Sequence, residues 1–160
     1  MDTLRSHSCA VIMSKRALLQ EVENLFEESG NQMSSLWPRV RLACLDVREG
    51  NISEARHTFS EATQSFQKNG NTSGVVFTLE GMAGLYVVVG KPEHAARLIG
   101  WADATREKIG DIRPLIEQAD VDKIIAACIA KMGEVAFSDA YEEGTKMSLD
   151  EAVAYALNKT

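Results

Sequence analysis

The sequence predicts an all-α chain built from helical repeats, on three observations. Apolar residues recur at three- and four-residue steps. Within residues 75–110, Leu79, Met82, Ala83, Tyr86 and Val87 mark one amphipathic helix, and Ala95, Leu98, Ile99 and Ala102 mark a second. Gly90-Lys91-Pro92 breaks the pattern between them, so the pair reads as a hairpin. A 40-residue shift then superimposes Glu28-Ser29-Gly30-Asn31 on Lys68-Asn69-Gly70-Asn71 and on Lys108-Ile109-Gly110-Asp111, which is the mark of a repeated helical unit. Finally, 160 residues with 3 prolines and 6% aromatics, rich in Ala, Leu, Glu and Lys, favour helix over a strand-and-turn protein. With 45% hydrophobic and 25% charged residues, the chain is expected to form one soluble domain with a real core.

Taken in order, residues 1–14 carry Ser6, His7 and Ser8 without sustained periodicity and are expected to be a frayed end or the remnant of an earlier helix. From Lys15, the residues Leu18, Leu19, Val22, Leu25 and Phe26 form the stripe of helix one, which stops at Gly30, where a left-handed residue suits a C-terminus. Met33-Ser34-Ser35-Leu36-Trp37-Pro38 reads as the start of helix two, with a serine cap and Pro38 in the first turn, where a missing N–H costs nothing. This helix is expected to reach Glu49. Gly50-Asn51 turns the chain, and Asn51 with Glu54 resembles a capping box for helix three, which carries Ala55, Phe59, Ala62 and Phe66 and stops at Gly70.

Helix four is expected over about 73–89 and helix five over about 92–109; the β-branched run Val87-Val88-Val89 lies in a 3.6-residue period and so reads as helix. Arg113-Pro114 opens helix six, with Ile116, Val121, Ile124, Ile125, Cys128 and Ile129 as apolar positions, and Met132-Gly133 stops it. Residues 134–143, with Val135, Ala136, Phe137, Ala140 and Tyr141, make helix seven, ended by Gly144. Ser148-Leu149-Asp150-Glu151 is a capping box for a last helix bearing Ala152, Val153, Tyr155, Ala156 and Leu157.

The net charge of −6 repels a polyphosphate partner at long range, and the most basic stretches, Lys15-Arg16 and Arg39-Val40-Arg41, are pairs within helices rather than a patch. Direct nucleic-acid binding is therefore not expected. Cys9, Cys44 and Cys128 are odd in number and far apart, which suggests neither a disulfide framework nor a zinc site; Cys44 and Cys128 fall in apolar stripes as small core residues. The apolar run at residues 9–13 is too brief for a signal sequence, and no stretch is long enough to span a bilayer, so the expected location is the cytoplasm.

Nothing in the residue pattern assembles an active site. His7, His57 and His94 are scattered without a second ligand at metal spacing, and His57 and His94 are expected to be surface histidines. There is no Gly-x-Ser-x-Gly elbow and no Gly-x-x-x-x-Gly-Lys-Ser/Thr loop. Glu142-Glu143 and Asp150-Glu151 lie at helix ends, where capping and solubility account for them. No catalytic, cofactor-binding or metal-binding residue is assigned, and the chain is not expected to be an enzyme.

Across the two best units the register resembles the tetratricopeptide repeat (TPR). Ala43 and Ala83, Ala55 and Ala95, and Ala62 and Ala102 match its small-residue columns, Phe59 and Ile99 its large one, and Gly50 and Gly90 its turn. The 40-residue spacing exceeds the usual 34, and Arg39 and Asp46 stand where apolar or aromatic residues are usual. Over about residues 17–157 the segments Pro92-Glu93-His94-Ala95-Ala96-Arg97-Leu98-Ile99-Gly100-Trp101-Ala102, Gly133-Glu134-Val135-Ala136-Phe137 and Ser148-Leu149-Asp150-Glu151-Ala152-Val153 are similar to the C-terminal TPR region of large bacterial signal-transduction ATPases and transcriptional activators. The resemblance implies a right-handed TPR-like α-solenoid of about eight helices over residues 15–160, with an incomplete first unit and a divergent C-terminal cap.

It also implies a role. Such regions are sensor or protein-interaction arms, so the expected function is protein or peptide binding in a bacterial signalling or transcription system, with small-effector sensing in the concave face as the alternative. In that register the concave face is lined by Trp37, Val40, Cys44, Val47 and Arg48 of helix two and by Phe77, Glu80, Gly84, Val87 and Val88 of helix four. The competing reading has Trp37, Phe77 and the valines pack against helix six or an N-terminal segment. Helix one matches only the second half of a repeat, so the N-terminal end is expected to leave apolar surface that pairs with another copy or another domain.

Overall fold

Five evenly spaced glycines, Gly30, Gly50, Gly70, Gly90 and Gly110, all adopt positive φ, between 67° and 85°. Only glycine enters that region without a Cβ penalty, so each ends a helix and reverses the chain. The structure, a computed structural model, describes residues 2–157, with side chains from Lys15 onward; the readings of His7 and Cys9 lie outside the described side chains, and Met1 and residues 158–160 lie outside the described residues. The described residues form eight helices: α1 (Asp2–Glu28), α2 (Gln32–Glu49), α3 (Ile52–Lys68), α4 (Thr72–Val88), α5 (Pro92–Ile109), α6 (Leu115–Met132), α7 (Glu134–Thr145) and α8 (Leu149–Ala156). No strand occurs among them, as the composition predicts.

The caps refine several boundaries. Asn31 accepts from the Ser34 N–H, and Asn71, its counterpart in the next repeat, from the Gly74 N–H. With Asn31 as cap, α2 starts before Met33-Ser34, and Pro38 sits inside the helix rather than in its first turn. Asn51 makes no side-chain capping bond, so the expected capping box of α3 does not form. The box at Ser148 and Glu151 does form, in both directions. At the N-terminus the backbone of α1 extends back to Asp2, well before the expected start at Lys15.

Each of the first five helices packs on the next, while α2 touches α4 and α4 touches α6. The small and large columns read from the sequence meet at these contacts: Ala43, Ala55, Phe59, Ala83, Ala95, Ile99 and Ala102 are fully buried. Central to the molecule is α4, whose sequence TSGVVFTLEGMAGLYVV buries residues on every side. Outlying α6 buries only Val121 and Cys128; Ile116, expected in its stripe, is 65% exposed.

The most extensive helix contact joins α5 to α7. It depends on two glycines with ordinary helical φ. A Cβ on Gly100 would strike the carbonyl oxygen of Tyr141, and one on Gly144 would strike that of Arg97. Gly144, expected to end helix seven, lies within it and is buried, so its role is close approach. This makes a test of sign. In an open helix Gly→Ala stabilises by about 1 kcal/mol, whereas Gly144→Ala is expected to destabilise by about 1–3 kcal/mol through overpacking. Urea denaturation decides, and a stabilised variant would refute the packing described.

Candidate functional site

The face formed by α2, α4 and α6 gathers the residues that the sequence places in a groove. Val40, Val47, Phe77 and Glu80 are buried there, Trp37, Cys44, Gly84 and Val87 are half-buried, and Arg48 and Val88 are exposed. The Trp37 ring lies 5.2 Å from both Phe66 and Phe77, so its inner edge belongs to an aromatic cluster joining α2, α3 and α4. Helix α6 crosses the rest of this face. Arg41 bonds Glu117 at 2.8 Å, Arg48 bonds Asp120 at 3.0 Å, Ile124 lies against Gly84, and the Lys131 ammonium donates to the Val87 carbonyl at 3.0 Å. What α6 leaves accessible is the Trp37 end, where Arg41 stands over the Phe77 ring at 5.1 Å, and the Arg48 and Val88 end.

Glu80, read from the sequence as a groove contact, is instead a structural anion. Its carboxylate accepts from Arg106 at 2.8 and 3.1 Å and from Arg113 at 2.6 and 3.0 Å. Arg113 also reaches Asp103, which accepts from the Tyr141 hydroxyl at 2.7 Å, and Arg106 reaches Asp111 and Glu117. One connected network thus spans α2, α4, α5, α6, α7 and the turn between α5 and α6. Burial works against the charge of both arginines, yet the bonds to Glu80 hold them above their ordinary values. Burial raises the Glu117 carboxyl, countered by Arg41 and Arg106. Burial and the bond to Asp103 push Tyr141 up to about 12.

Two further features were not evident from residue types alone. Arg39 and Asp46, the charged departures from the repeat pattern, pair with α1: Arg39 bonds Glu23 at 2.6 Å, and Arg16 bonds Asp46 at 2.9 Å and Glu49 at 2.8 Å. The α1–α2 contact is therefore partly ionic, and Leu18 and Leu25 of α1 stay 62% and 59% exposed. His57 is a surface histidine beside Glu61. His94 is not: it stacks on Tyr155 at 4.4 Å and lies 5.0 Å from Tyr86, between α5 and α8.

Burial raises the Cys44 thiol to about 12 and the Cys128 thiol to about 11, which disfavours the nucleophilic thiolate. Among the described residues no group of three or more His, Cys, Asp or Glu side chains could hold a metal ion, and no helix is long and apolar enough to cross a membrane.

Two measurements probe these assignments. Glu80→Gln leaves two buried guanidinium groups facing an uncharged amide, and urea denaturation is expected to report a loss of about 3–5 kcal/mol; a loss below about 1 kcal/mol would contradict the network. Burial, with Lys91, holds His94 below its ordinary value. A depressed histidine contributes stability that is present above the unfolded value of about 6.5 and lost as pH falls through the folded one. Between pH 7.5 and 5 the Tm of the native chain should therefore drop more than that of His94→Gln, and equal drops would count against the stacked neutral ring.

No family model and no solved structure matches the chain. Three curated proteins do, each named as an HTH-type transcriptional regulator, from Mycobacterium bovis and from the H37Rv and CDC 1551 strains of Mycobacterium tuberculosis. Each is 36% identical over 83 residues, a stretch that is 52% of this chain but 9% of the regulator. The chain is thus similar to a small part of long transcription regulators.

Proposed function

We propose that this chain is a protein- or peptide-binding module, a TPR-like right-handed solenoid that serves as a regulatory or scaffolding arm in a bacterial transcription or signalling system. The observation that carries this reading is the repeat itself: helices of matched length at a 40-residue spacing, turned by positive-φ glycines. Stacked units of that kind present extended surfaces for other chains. The likeness to HTH-type transcriptional regulators supports the regulatory setting.

Contact falls to those residues of the α2–α4–α6 face that the core leaves accessible: Trp37 with Arg41 at one end, Arg48 and Val88 at the other. The buried members, Val40, Val47, Phe77 and Glu80, support that surface from below. A half-buried tryptophan beside an arginine joins two of the residue types that most often dominate protein interfaces. The exposed Leu18 and Leu25 of α1 supply an apolar strip for self-association or for a neighbouring domain.

Affinity capture from a bacterial lysate, followed by titration of the captured protein against variants, tests this reading. Trp37→Ala and Val88→Asp are each expected to weaken binding about tenfold or more. Phe77→Ala is expected instead to cost stability, by about 3–5 kcal/mol, as a core aromatic. Full affinity in both Trp37→Ala and Val88→Asp would remove this face from consideration, and stabilisation by one metabolite, with no protein captured, would favour an effector sensor.

A further inference from the structure

The 40-residue register carries α1, α2 and α3 onto α3, α4 and α5, and it holds in space as well as in sequence. Arg16 of α1 pairs with Asp46 of α2 at 2.9 Å; at the same positions of the next unit, Arg56 of α3 stands over the Tyr86 ring of α4 at 5.8 Å. In this second unit α8 fills the cleft across α4 between α3 and α5. Gln67 donates to Asp150 at 2.8 Å, the Tyr86 hydroxyl donates to the Ala156 carbonyl, Arg97 donates to the Tyr155 hydroxyl at 3.2 Å, and Tyr155 stacks on His94. Ala152, Val153 and Ala156 are the buried stripe that α8 lays into it.

In the first unit no described helix takes the equivalent place. A cleft of about 360 Å³ lies there, past Asp46 and His57, the counterparts of Tyr86 and Arg97. It continues as a second hollow of about 560 Å³ past Glu27, the counterpart of Gln67, and the two share Leu36 and Arg39 in their floor. These floor residues lie on a different face of α2 from Trp37, Cys44 and Arg48. We propose that this cleft, across α2 between α1 and α3, docks a short helix of a protein partner that is cationic in its first turn and carries small apolar residues in a stripe.

Shape and charge specify the occupant separately. Shape comes from the repeat, since the equivalent pair of helices one unit further on, α3 and α5, already holds a short helix, α8. Charge comes from the substitutions between units. Where Gln67 offers an amide to Asp150, the open cleft presents the Glu27 carboxylate, and where Tyr86 donates a hydrogen bond, it presents Asp46, an acceptor already bonded to Arg16 at 2.9 Å. Glu23 and Glu61 add to them, so carboxylates outnumber Arg16 and Arg39 along the walls. A second copy of α8 would bring Asp150 against Glu27, like charge facing like, which selects a different chain as the partner. Leu36, Leu42 and Ala62 supply the apolar floor.

Two stapled peptides test this on the full chain: residues 148–157 as they stand, and the same peptide with Asp150→Lys and Glu151→Lys. Amide shifts in an isotope-labelled sample are expected to map the lysine peptide to α1, α2 and α3, with affinity about tenfold above the acidic peptide. Glu27→Lys with Glu61→Lys should reverse that preference; both residues are exposed and their pairs with Arg39 and His57 are surface pairs, so the Tm is expected to fall by no more than a few degrees. Trp37→Ala should not affect it, so failure here is separable from failure of the α2–α4–α6 face. Shifts on that other face, shifts around α8 from its displacement, no shifts at all, or equal binding of the acidic peptide would each overturn the proposal.

Discussion

One buried carboxylate decides what the α2–α4–α6 face can do. Glu80 sits in the middle of α4, 5% exposed, on a helix that carries no other charge. An unpaired charge there would be prohibitive, and the pair is tolerable only because two guanidinium groups close on it with good geometry. Arg106 comes from α5 and Arg113 from the turn before α6, so satisfying Glu80 fixes where that turn must pass. Arg106 then draws Glu117 of α6, and Glu117 draws Arg41 of α2. The first turn of α6 is thereby pinned over the centre of the face, and the accessible surface retreats to the two ends. A hydrophobic residue at position 80 would remove the desolvation cost but also the information that positions α6.

Glycine serves two opposed purposes in this chain, and only one was legible in the sequence. At Gly30, Gly50, Gly70, Gly90 and Gly110 it supplies a backbone conformation, and the even spacing, with Asn or Asp after four of the five, makes that visible from residue types alone. At Gly100 and Gly144 it supplies only the lack of a side chain, so that α5 and α7 approach to backbone contact. Nothing local distinguishes Gly144 from a helix stop; the reason for it lies on another helix, at Arg97. The same limit explains Pro38, which reads as a helix start until Asn31 is seen to cap the helix well upstream of it.

The fold class and most of the core follow from periodicity, because apolar spacing directly encodes which side of a helix is covered. The site is less legible, because it depends on which neighbour does the covering. Val40, Val47 and Phe77 are buried rather than open to a groove, Phe77 against the Trp37 ring. Arg39 and Asp46 look like defects in a repeat and are the α2 side of an ionic contact with α1, whose partners Glu23 and Arg16 are polar residues beside the apolar stripe. Likewise His94 is indistinguishable from His57 by position, and only the arrival of Tyr155 on α8 separates a stacked ring from a solvated one.

The two units are repeats in backbone and not in surroundings, and composition explains the difference. Helix α4 carries a single charged residue, Glu80, so every side of it must be covered; α6 covers one flank and α8 another. Helix α2 carries Arg39, Arg41, Asp46, Arg48 and Glu49 over the same length, and these find partners on α1 and α6 while leaving part of the helix wet. Among the described residues one short helix of α8's kind occurs, and it lies on α4, where Tyr86 meets it, because burying an aromatic ring gains more than covering the charged counterpart Asp46 on α2. The cleft over α2 therefore remains open as a consequence of where the hydrophobic residues lie, and its carboxylates keep it accessible to water and selective among the helices that could enter it.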